Sequence, residues 1–177
     1  MPTYKRQIFW IAPLLVLFLG ACLSSSLTMR EEVATRLASP AWMVKRQIPA
    51  APFSLTAYER MHERFEPANV YIEGDGIAWL TKKQRSLNPT PKNPVALHLA
   101  TKDKADNVVY LARPCQYSGM LDRETPCDWA YWSGKRYAPE VLSSFNTALD
   151  EIKARYNIEG FNLIGFSGGG TVATLLA

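Results

Sequence analysis

Two periods of hydrophobic placement run through the chain. Phe53-Ser-Leu-Thr-Ala-Tyr58 alternates apolar and polar residues one by one, which is the period of a strand. Trp42 to Ile48 alternates more loosely and predicts a first strand, interrupted at Pro49–Pro52, that pairs with it as a hairpin-like neighbour. Val70-Tyr-Ile72 and Asn107 to Ala112 are short β-branched and aromatic runs that read as further strands. The period changes between Pro139 and Asn157. There Val141, Leu142, Phe145, Ala148, Leu149, Ile152 and Tyr156 form one apolar stripe of a helix. Pro139 and Glu140 suit its amino end, and Lys153 and Arg155 its carboxyl end. Val95 to Thr101 fits a shorter helix lying on the sheet.

After Gly160 the chain reads Phe161-Asn-Leu-Ile-Gly-Phe-Ser-Gly-Gly-Gly-Thr-Val-Ala-Thr-Leu-Leu-Ala177, a strand, a glycine-flanked serine and a helix start. A helix feeding a strand in this way is a crossover between parallel strands. The expected fold class is therefore α/β, a mostly parallel sheet with helices on both faces.

Gly165-Phe-Ser167-Gly-Gly169 matches the GxSxG pattern of a sharp strand-to-helix corner that lifts a serine hydroxyl clear of the backbone. The corner holds the serine near positive φ, so its neighbours two residues away must be small. Gly168 offers a free N–H at the first turn of the following helix, where a developing oxyanion is favoured. The run Gly168 to Ala173 also fits a GxGxxA dinucleotide turn, but such a turn normally follows the first strand of its domain. A phosphate loop is excluded because no lysine follows the glycines.

Composition adds a compartment. Lys5 and Arg6 precede an apolar run from Ile8 to Leu19, too short to span a bilayer and followed by Leu19-Gly-Ala-Cys22. Residues 1–21 read as a signal peptide, and residues 22–41 as a tether with room for a short helix over Arg30 to Leu37. Leu19-Gly-Ala-Cys22 resembles a bacterial lipobox, which implies lipidation of Cys22, anchoring to a membrane and a place in the cell envelope. Cys115 and Cys127 then remain as an even pair, expected to form a disulfide in an exported chain. The 20 basic residues less Lys5 and Arg6, against 16 acidic ones, leave +2, too little to argue for nucleic acid. Lys82, Lys83 and Arg85 read as a solvated surface, and no metal or cofactor motif stands out.

From residue 42 to 177 this order of elements resembles the amino-terminal half of the α/β-hydrolase family. In that family two antiparallel strands precede a third whose glycine-containing loop supplies an oxyanion donor. A helix, a fourth strand and another helix then lead to the nucleophile elbow. The resemblance implies Ser167 as nucleophile and the N–H groups of Gly168 and of the loop at Asp75 and Gly76 as oxyanion donors. It implies a small-molecule or lipid-like ester, thioester or amide as substrate, with no cofactor. Glu73 stands where many members have histidine. The family's acid and histidine follow the serine, and residues 168–177 hold neither, so the chain as given is expected to be inactive by itself. His62, in a charged run, and His98, on an apolar segment, are poor substitutes. The alternative function is a non-catalytic envelope lipoprotein serving as a binding or structural module.

Overall fold

The computed structural model describes residues 29–118 and 126–177. The signal segment and Cys22 lie outside them. Five strands form one sheet in the order β1-β2-β4-β3-β5, with β1 Val44–Ala50, β2 Phe53–Arg60, β3 Ala68–Ile72, β4 Val108–Leu111 and β5 Phe161–Gly165. The helices are α1 over 29–38, α2 Val95–Ala100, α3 Pro139–Tyr156 and α4 Gly168–Leu176.

The sheet is mixed, which corrects the expected mostly parallel one. β1 pairs with β2 and β2 with β4 antiparallel, whereas β3 pairs with β4 and with β5 in parallel. The connections dictate this. Only Ala51 and Pro52 separate β1 from β2, and so short a link permits only a reversal of direction. The two parallel pairings are bridged by longer segments carrying α2 and α3. Pro49 does not end β1 as expected, because β1 is an edge strand and need not donate outward at that position.

Strand alternation divides the core in two. Leu55, Ala57, Val70, Ile72, Val109 and Leu111 pack with Val141, Phe145, Ala148 and Ile152 of α3 and Val172 of α4. Tyr58, Val108 and Tyr110, displaced by one residue, pack instead with Leu97 of α2 and with Ala34 and Ala38 of α1. Residues 29–41, within the stretch read as a tether, thus pack against the sheet, and Arg30 donates to the Thr90 carbonyl at 2.9 Å. At the far end from the glycine turns, the buried Glu59 carboxylate accepts from Arg46, Arg155 and the Tyr156 hydroxyl. Cys115 and Cys127 form the expected disulfide, with their Cα atoms 5.5 Å apart. Among the described residues no helix is long and apolar enough to cross a membrane.

Candidate active site

β3 and β5 are parallel neighbours, so their carboxyl ends emerge side by side and bring two glycine turns together. At the end of β5, Ser167 has φ 52° and ψ −121°. Residues with a Cβ rarely adopt such a conformation, and holding one there costs of order 1–3 kcal/mol. The flanking glycines make it possible. A Cβ on Gly165 would lie 2.2 Å from the Gly169 carbonyl oxygen, and one on Gly169 would lie 2.3 Å from that of Ile72. No side chain fits at either position. Phe166 N–H donates to the Ile72 carbonyl at 3.0 Å, anchoring the corner to β3.

Ser167 is exposed, and its hydroxyl has no hydrogen-bond partner among the described residues. It lines a cavity of about 420 Å³ together with Glu73, Gly74, Asp75, Gly76, Lys92 and Asn93. The buried Gly168 N–H finds no acceptor among the described residues, and neither do those of Asp75 and Gly76. Unpaired donors are normal in the first turn of a helix, and they are also what a developing negative oxygen requires. Asp75 and Gly76 thus line the cavity with Ser167, and Gly168 lies against the Asp75 carboxylate.

Three side chains hold the 73–76 loop, the buried Gln116 and Arg113 and the half-exposed Arg136. Gln116 donates from Nε2 to the Gly74 carbonyl at 2.9 Å and accepts at Oε1 from the Arg113 N–H. Asp75 binds Arg113 Nη1 at 3.2 Å and faces Arg136 Nε at 3.5 Å. Its carboxylate presses on the elbow, since a Cβ on Gly168 would fall 2.3 Å from Asp75 Oδ1. A carboxylate this close would oppose an oxyanion, but the two guanidiniums leave the cluster net positive. The Arg113 guanidinium, only 4% exposed, is held below the ordinary arginine range because burial disfavours its charge, a cost its ion pair with Asp75 offsets only in part.

Glu73 is 2% exposed, with Oε1 accepting the Gly74 N–H at 2.9 Å. Burial raises its carboxyl above 4.5, although the amides of Gly74, Ala96 and Leu97 and the Tyr110 hydroxyl lean the other way. Of these, the Gly74 N–H alone reaches bonding geometry.

Neither histidine bonds to Ser167. His62 is exposed beyond β2, where its N–H donates to Asn107. His98 pairs through Nε2 with Asn93 Oδ1 at 2.7 Å, one residue removed from the cavity it does not itself line. Sequence reasoning missed Arg113, Arg136 and Gln116. Arg113 carried a usable signal, as a cation at the carboxyl edge of a sheet directly after the apolar run Val108 to Ala112. Among the described residues no cluster of histidine, cysteine and acidic groups could hold a metal. No protein-family profile matches the chain, and no match was found among the curated proteins or the solved structures.

Two predictions follow from this geometry. Gly165→Ala and Gly169→Ala should each destabilise the fold by about 2 kcal/mol or more in urea unfolding, because backbone atoms obstruct the new Cβ. Gly160→Ala, with nothing within 4 Å, should shift stability by less than about 1 kcal/mol. Equal effects at all three positions would show the corner is not sterically enforced.

The second concerns pH. A carboxyl raised in the folded state stabilises most below its unfolded value near 4.5, and that contribution is lost as pH rises through the folded value. Wild-type stability should therefore fall relative to Glu73→Gln as pH climbs from 4.5 toward neutrality. A difference that stays constant or reverses would contradict a buried, raised Glu73.

Proposed function

We propose that the protein is a serine hydrolase of the α/β-hydrolase type, acting on an ester, thioester or amide through Ser167. The observation that carries this reading is the positive-φ corner at Ser167 beside the amides of Gly168, Asp75 and Gly76, which find no acceptor among the described residues. The hydroxyl attacks the substrate carbonyl, its proton passes to a base, and the carbonyl oxygen gains negative charge. The Gly168 N–H and an amide of Asp75 or Gly76 bind that oxygen. Further support comes from the element order, two antiparallel strands followed by β3, α2, β4, α3, β5 and the elbow. We assign the base and its acid to family positions after the nucleophile, since His62 and His98 make no bond to Ser167. The lipobox resemblance supports placing the enzyme in the cell envelope, anchored through Cys22.

Hydrolysis of p-nitrophenyl acyl esters by the full-length protein tests the assignment. Ser167→Ala should lower kcat by roughly 10³-fold or more with folding unchanged. Absence of turnover in the wild-type protein, or turnover indifferent to the substitution, would favour the binding-module alternative.

A further inference from the structure

Ile77, on the cavity rim beside Ser167, begins a hairpin that the proposed chemistry does not use. Trp79 bridges to Arg85 in antiparallel fashion, and the Ser86 N–H donates to the Ala78 carbonyl at 3.0 Å. At the tip, the Leu80 N–H donates to the Gln84 carbonyl at 2.8 Å, and Thr81 Oγ1 accepts from the Gln84 N–H. The base is stapled by two indoles, Trp129 donating to the Ala78 carbonyl and Trp132 to that of Ser86. Arg85 lies 4.0 Å over the Trp129 ring, which also meets Trp79 edge-on.

This ordered hairpin shows large apolar side chains to water: Trp79 is 47% exposed, Leu80 52% and Leu87 65%. Interleaved with them are Lys82, Lys83 and Arg85. None of these cations joins an ion pair among the described residues, and no acid lies between Ile77 and Leu87. Exposed leucines gain nothing from solvent or from a polyanion's backbone. Tryptophan and leucine beside flexible lysines do suit a bilayer interface, where rings and aliphatic groups enter the headgroup boundary and ammonium groups meet anionic lipid.

We propose that the 78–87 hairpin docks on an anionic phospholipid surface, with Trp79, Leu80 and Leu87 entering the interface and Lys82, Lys83 and Arg85 engaging the headgroups. Docking there brings the membrane close to Ile77, which lines the Ser167 cavity. The proposal does not depend on the chemistry at Ser167.

The test reads the hairpin locally, so that the apolar amino-terminal segment cannot mimic the result. The full chain carries Cys22→Ser and Leu80→Cys, labelled at residue 80 with a bimane fluorophore. It is mixed with vesicles of equal parts phosphatidylglycerol and phosphatidylcholine, or of phosphatidylcholine alone. With the anionic vesicles the label should be quenched by lipid-borne nitroxide and shielded from aqueous iodide. Adding Lys82→Glu and Lys83→Glu should weaken that insertion by roughly tenfold or more. A label at Glu159→Cys, exposed at the opposite end of the parallel strands, should stay open to iodide. The proposal is overturned if residue 80 stays open to iodide on anionic vesicles or inserts equally into pure phosphatidylcholine. Shielding of residue 80 without vesicles, as self-association would cause, or shielding of both positions together, overturns it as well.

Discussion

The candidate site depends on one steric constraint, the close approach of the α4 backbone to the ends of β3 and β5. At Gly165 and Gly169 a side chain would meet backbone atoms little more than 2 Å away, so the chain can turn there only without one. That clearance lets Ser167 take φ 52° and project from the corner while α4 starts at the next residue. The strain is local and is held by β-ladder bonds on one side and helix bonds on the other.

A corner alone would present a hydroxyl without a partner surface. The 73–76 loop supplies that surface, and its position is a matter of buried polar bonds rather than apolar packing. Gln116 fixes the Gly74 carbonyl, Arg113 fixes the Asp75 carboxylate, and Glu73 takes the Gly74 N–H. Gln116 follows Cys115, so the disulfide ties the strap that holds this loop to the segment before Trp129. Buried polar networks are costly when half satisfied, and among the described residues this one leaves Glu73 Oε2, Tyr110 Oη and Arg113 Nε without a hydrogen-bond partner. Such a network defines one loop position at the expense of stability, which suits a site more than a core.

Much of this was legible in the sequence. Alternation in Phe53 to Tyr58, the stripe of α3 and the spacing Gly165, Ser167, Gly169 each report interactions within a few residues, and each element formed. The pairing of Cys115 with Cys127 followed from parity. Strand partners were less accessible. The antiparallel β2–β4 ladder joins residues some fifty positions apart, such as Ala57 and Leu111, and made the sheet mixed. Arg113 and Gln116 act on the loop from 38 and 42 residues away, so local pattern could not assign them. The packing of α1 was hidden for another reason, because its buried Ala34 and Ala38 are small residues in a charged stretch and give little amphipathic signal.

The most direct measurement is a crystal structure of the full-length protein after reaction with a fluorophosphonate. The account predicts a phosphonyl group on Ser167 Oγ, with its anionic oxygen about 2.7–3.1 Å from the Gly168 nitrogen and an amide nitrogen of Asp75 or Gly76. An adduct whose oxygen faces solvent, or a Ser167 backbone with negative φ, would contradict it.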